Sequence, residues 1–215
     1  MFNWDWVAVL AEGLRISFEL TLIAGIAGII LGGALALAAV SPNRIIASVS
    51  FWFTQSVRSI PVLVLLIFSY FGLGVTFGSA VSAYWVAAVV ITITQSAYLS
   101  DIYRGVLISV PAGQWNAARS LALSRTTTLT RVVIPQAIRP AVPVTINHLV
   151  STLKTTSLAS LITVPEATMK ATVLIAQTFK TVEVYALLAL MYVVIIVPIT
   201  LLVSYLEQRF MKGAS

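Results

Sequence analysis

The chain has 215 residues, 59% of them hydrophobic and only 9% charged, with a mean hydropathy of +0.99. A soluble domain carries about 25% charged residues, and twenty charges cannot clothe a 23.1 kDa globule in water, which argues against a soluble enzyme. Disorder needs low hydrophobicity and is excluded as well. The absence of cysteine removes disulfides, thiolate chemistry and cysteine metal sites. The net charge of +6 reads as a record of which side the loops face, with no need for nucleic acid.

In chain order, Met1 to Trp6 offers no basic n-region, and the apolar run from Leu20 is too long for a signal-peptide core, so the first helix is expected to be retained. A spanning helix needs ~20 mostly apolar residues, and Leu20 to Val40 supplies them. Residues 1–18 are read as an N-terminal segment outside the membrane, with Arg15 and Glu19 as a helix-end pair at i, i+4. Gly28 and Gly32, with Gly25 and Gly33 nearby, have the GxxxG spacing of close helix packing. Between Arg58 and Asp101 lie 42 uncharged residues, enough for two helices, with a break expected at Gly72-Leu-Gly74-Val-Thr-Phe-Gly78-Ser79. Pro61 and Pro198 either kink their helices or reflect the greater frequency of proline in membrane helices. Asp101 and Arg104, three apart at the end of the third helix, are read as a structural pair.

Residues 105–140 then form a long loop with Arg119, Arg125, Arg131 and Arg139 and no acid. Pro111-Ala-Gly113 reads as a turn and Gln114–Leu123 as a short helix, with Trp115, Ala118 and Ala122 on one face and Gln114 and Arg119 elsewhere. Ser124 is placed to cap a second helix that Pro135 should stop after Ile134. Such an amphipathic segment lies on lipid or seats its face in a partner's groove.

The fourth helix, over 141–163, is too polar for plain lipid exposure. Ile146, Leu149, Val150, Leu153 and Leu161 share one side, while Asn147, Ser151, Lys154 and Thr155 stack at i, i+4, i+7 and i+8 on another. It can span only with its polar side toward other helices or water. A lysine near mid-bilayer costs ~2.5–3.5 kcal/mol, so Lys154 either lines a pathway or is paired with a helix carbonyl or with Asp101. Asn147 either joins that pathway or makes an interhelical hydrogen bond. His148, the only histidine, has no carboxylate within a turn and reads as a packed or interfacial residue, so no metal site is expected. A fifth helix lies between Glu183 and Glu207. Nine basic residues fall on the side of the loop and the C-terminus and three on the other, which puts the N-terminus outside and the C-terminus in the cytoplasm.

Several ordered motifs fall on these elements. Gly113-Gln-Trp-Asn-Ala-Ala-Arg-Ser-Leu-Ala-Leu-Ser-Arg125 and Arg131-Val-Val-Ile-Pro-Gln-Ala-Ile-Arg139 closely resemble the EAA loop of permease subunits in bacterial ATP-binding-cassette importers, of the polar amino-acid (histidine/glutamine/arginine) type. Ala97-Tyr-Leu-Ser-Asp-Ile-Tyr-Arg-Gly105, Lys154-Thr-Thr-Ser-Leu-Ala-Ser160, Val164-Pro-Glu166 and Arg58-Ser-Ile-Pro61 extend the resemblance over essentially the whole membrane domain. The fold it implies is an all-α membrane protein: five transmembrane helices over 19–208, a coupling-helix loop between helices 3 and 4, and a cytoplasmic tail over 209–215.

The resemblance further implies that Gly113, Gln114, Trp115, Asn116, Ala117, Ala118, Arg119, Ala122 and Pro135 couple the chain to a separate ATPase. Asn147, Ser151, Lys154, Thr155 and Ser157 would border the substrate pathway. The implied partners are an ATP-binding-cassette ATPase dimer, a periplasmic solute-binding protein, a second permease in a homo- or heterodimer, and lipid of the bacterial inner membrane. ATP and Mg would be used by the ATPase, and this chain would bind no cofactor. Three positions depart from the family pattern: Asn116 stands where the family has Glu, Ala122 where it has Gly, and Thr155 where it has Asp.

The chain has no GxxxxGK[ST] phosphate loop, no HExxH and no nucleophile elbow, so no catalysis of its own is expected. The expected substrate is a polar amino acid, or another small zwitterion such as an opine, an ectoine-like solute or cystine. The rival class is an ATP-independent transporter, which often carries intramembrane carboxylates and inverted repeats.

Overall fold

A computed structural model describes residues 4–77 and 81–212. All regular structure among them is helical. Helix α1 (Trp4–Ala39) holds 36 residues, about 54 Å at 1.5 Å per residue, so residues 4–18 continue the apolar helix outward as one rod. Helix α2 (Arg44–Ser59) is capped by Asn43, whose side chain accepts from the Ile45 and Ile46 amides. Helix α3 (Val62–Phe77) follows a bend of 92°. Ile60 is extended at φ −98 and ψ 127, as the ring of a following proline requires. Pro61 therefore sits at the break between helices and kinks no helix interior. Gly72 and Gly74 lie inside α3, which corrects the break expected there. Thr76 Oγ1 donates to the Gly72 carbonyl at 3.0 Å one turn back, a bond the helix accommodates. Gly78 and Ser79 lie outside the described residues.

Helix α4 (Ala83–Ser109) packs against α3 and is the most enclosed of the long helices. It packs on α1 through the small residues that the spacing singled out. A Cβ at Gly28 would stand 2.8 Å from Gln95 Cβ, and one at Gly32 would stand 2.9 Å from Leu99 Cβ and 3.0 Å from the Ser96 carbonyl. Gly25 is filled by Leu149 at 2.7 Å, whereas Gly33 faces open space. Leu20, Ala24, Ala87 and Ile91 continue this interface as a buried core.

After the short helix α5 (Ala112–Ser120), the chain turns into α6 (Arg125–Thr128), a π-helical turn at Leu129–Val133, and α7 (Ile134–Thr155). Pro135 does not stop the helix. Its ring would collide with the carbonyl four residues back and it offers no N–H. The turn before it widens to an i→i+5 bond, Ile134 N–H to Leu129 C=O, and the chain passes on. A 3-10 segment, Thr156–Ile162, extends α7 before a bend of 51° into α8 (Ala167–Thr178). Helix α9 (Thr181–Lys212) closes the chain with Pro198 in its interior.

By length and composition α1, α4 and Thr181–Tyr205 of α9 can each cross a membrane, which gives three crossings, or five if each bent pair counts as one.

Candidate functional site: a docking helix and a polar face

Helix α5 shows why nine residues hold together away from the main bundle. It rests on one face: Ala118 is buried, and Trp115 packs on a cluster of Ala36, Leu107, Val110, Val133 and Ala137. Gly113, Gln114, Asn116, Ala117 and Arg119 are exposed on the other. Among the expected face residues, Ala122 is the exception, since it lies past the helix. There Leu123 N–H bonds to the Ala118 carbonyl at 3.1 Å and Ala122 N–H to Arg119 at 2.9 Å. These paired bonds make a Schellman cap, and they put Ala122 in the left-handed region at φ 54. Ser124 caps the next helix as expected, its Oγ accepting from Thr127 N–H at 3.2 Å. Gln136 Nε2 donates to Gln114 Oε1 at 3.4 Å, tying the first turn of α7 to α5 beside Pro135. Arg125 Nη2 donates to the Val40 carbonyl at 2.9 Å and joins the loop to the end of α1.

The polar stripe of α7 lies on the open side of the chain. Asn147, Ser151 and Lys154 are exposed and Thr155 and Ser157 half-buried, while Pro143, Thr145, Thr152 and Leu153 face inward. Ser151, Thr155 and Ser157 donate to the carbonyls of Asn147, Ser151 and Lys154, which leaves their oxygens able to accept from a solute. Lys154 forms no ion pair among the described residues. Leu149 of the same helix meets Gly25 of α1, and Lys154 follows five residues further along.

Asp101 corrects a pairing. Its partner is Arg58 at the end of α2, Oδ2 to Nη1 at 2.7 Å, and not Arg104. Spacing on one helix allows Arg104, but the packing of α2 on α4 brings the Arg58 guanidinium to the carboxylate. The Arg58 guanidinium also lies 5.2 Å from the centre of the Tyr98 ring, and Tyr98 lies 5.4 Å from His148. A cation, an anion and two aromatic rings thus adjoin the α7 stripe, and His148 is a packed residue. Among the described residues no group of acids and histidine could hold a metal. The sequence held a signal for the Arg58–Asp101 pair: opposite charges bracket an uncharged stretch that must run out and back.

Glu166 is the other site that residue reading passed over. It is fully buried, caps α8 by accepting from Met169 N–H at 2.9 Å, and accepts from Ser17 Oγ at 3.4 Å. Gly13 lets the α1 backbone approach it, since a Cβ there would lie 2.7 Å from Ala167 Cα.

This geometry defines an all-helical protein with helices apolar and long enough to cross a membrane, a polar face on α7 and a short helix, α5, mounted beside the bundle. Residues 25–212 match the family described as "Binding-protein-dependent transport system inner membrane component", and the chain belongs to that family. Similar curated proteins include the octopine transport system permease protein OccM of Rhizobium meliloti, 35% identical over 89% of this chain and 82% of that one. The L-cystine transport system permease protein TcyB of Bacillus subtilis is 33% identical over 96% and 90%. The glutamine transport system permease protein GlnP of Escherichia coli is 28% identical over 96% and 94%. Among solved structures, "an amino acid ABC transporter with histidines" superposes with a TM-score of 0.89 at 29% identity, covering 97% of this chain and 99% of that one. An inward-facing methionine transporter, MetNI, shares the fold at a TM-score of 0.74 and 17% identity, with 100% of each chain covered.

Proposed function

We propose that this chain is the permease of a binding-protein-dependent importer and carries a polar amino acid or an amino-acid-derived zwitterion through the cytoplasmic membrane. Energy comes from a separate ATP-binding-cassette ATPase dimer, which uses ATP and Mg, and a solute-binding protein outside delivers the substrate. The chain crosses five times: α1, the α2–α3 pair, α4, α7 with its 3-10 extension, and α9. Its N-terminus lies outside, and the 105–140 loop and the 209–215 tail lie in the cytoplasm, with residues 19–208 as the translocation domain. Nine basic residues against three support that orientation.

The observation that carries the reading is α5, a nine-residue helix fixed to the bundle by Trp115 and Ala118 with its opposite face projecting. A helix mounted in this way transmits a push. When the ATPase pair closes on ATP, displacement of α5 passes through α6 and the π-turn into α7, and through Arg125 into α1. The two accessible states then differ in population by what ATP binding contributes to each. The exposed polar stripe of α7 supports a second reading at the level of assembly. Polar groups facing lipid are costly, so a second permease, identical or homologous, covers Asn147, Ser151 and Lys154 and closes the pathway between the two chains.

Uptake in proteoliposomes that contain the complete complex tests this. Replacing 115–122 by a glycine-serine linker is expected to abolish ATP-driven uptake while the complex still inserts. Uptake that persists with the linker sinks the coupling role of α5.

A further inference from the structure

The exposed side of α5 is not flat. Beside it the chain folds around a concavity of about 410 Å³ whose walls include Trp115, Asn116, Arg119, Leu123 and Arg125. Its charge is of one sign. From residue 102 to residue 165 the sequence has no Asp or Glu, so no neighbour in the loop can neutralise either arginine. Arg119 forms no ion pair among the described residues. Arg125 uses one Nη2 bond on Val40 and keeps the remaining donors of its guanidinium for another acceptor. Asn116 stands one turn before Arg119, at the i, i+3 spacing where an acid would pair with it. With an amide there, the arginine charge faces outward uncompensated.

Two arginines and an indole lining one concavity favour a planar anion that can accept two parallel N–H bonds, which is a carboxylate. We propose that this concavity receives an acidic side chain of the ATPase, so that at this docking surface the permease supplies the cations and the ATPase the anion. The inference rests on the reading of α5 as the ATPase-docking helix, and charge complementarity selects the occupant. The acid absent from Asn116 is replaced by one that arrives with the partner.

The test uses the complete permease–ATPase complex in nanodiscs of pure phosphatidylcholine, with variants retained only if their thermal midpoints match the wild type. Arg119→Glu is expected to weaken ATPase binding at least tenfold at 0.15 M salt. Asn116→Glu, which gives Arg119 an internal partner, should weaken it several-fold, and Arg119→Lys, which keeps the charge but not the paired N–H fork, should weaken it less than Arg119→Glu. Residues 102–153 contain no lysine. In Arg119→Lys a carbodiimide can therefore link only the introduced amine of this loop to a carboxylate, and mass spectrometry should find it joined to an Asp- or Glu-containing peptide of the ATPase. Unchanged affinity in Arg119→Glu and Asn116→Glu, or no such cross-link, overturns the proposal. It is also overturned if the arginines matter only when phosphatidylglycerol is added, because they would then serve anionic lipid. Failure of the wild-type chain to bind an ATPase at all would remove the importer reading itself, a result distinct from the others.

Discussion

Ala122 is the residue at which the 105–140 loop departs most plainly from comfortable backbone geometry. At φ 54 a Cβ crowds the following carbonyl, which costs an alanine about 1 kcal/mol relative to glycine. The Schellman bonds of Leu123 and Ala122 hold it there regardless. Ala122→Gly is therefore expected to stabilise the folded loop by about 1 kcal/mol, visible as a raised thermal midpoint of the purified complex. A lowered midpoint would mean that the methyl contributes packing that outweighs the strain. Asp101 shows, at the same scale, how tertiary packing overrides spacing along one helix. Periodicity places Asp101 and Arg104 on one helix surface, but the packing of α2 on α4 decides which cation actually arrives.

At the scale of elements, the α1–α4 pair is held by absence of side chains. Gly28 and Gly32 admit Gln95 and Leu99 to distances that no Cβ tolerates, and the backbone near Ser96 cannot retreat cheaply. Gly32→Ala is expected to destabilise the bundle by about 2 kcal/mol through overpacking. Gly33→Ala meets nothing within 4 Å, so it should be neutral or stabilising by up to about 1 kcal/mol through helix propensity. Thermal unfolding of the two variants side by side checks this, and equal midpoints would refute the packing argument. The GxxxG spacing was legible in sequence because small residues recur with the helical period. Which neighbour filled each gap was not, because Gly25 accepts a leucine from α7 and Gly28 and Gly32 accept α4. The continuation of the helix through Pro135 was equally hidden. Proline removes a bond from an α-helix, and only the neighbouring turns decide whether a π-turn absorbs the loss.

For the whole molecule, the absence of cysteine makes orientation directly measurable. Ala11→Cys and Ser120→Cys place single thiols at exposed positions of α1 and α5. A membrane-impermeant maleimide applied to intact cells should label the first, and label the second only after the membrane is opened. The reverse pattern would invert the proposed topology. The sequence by itself determined that the chain lives in lipid, that a basic loop separates two groups of helices, and that one late helix carries a polar face. Those conclusions follow from composition and periodicity, which are local and additive along the chain. Tertiary structure alone decided that Glu166 is enclosed against Ser17, and that Asn116, Arg119 and Arg125 share one concavity. Each of these depends on the angle at a break between helices, set by the packing of segments far apart in sequence, and no local pattern encodes that angle.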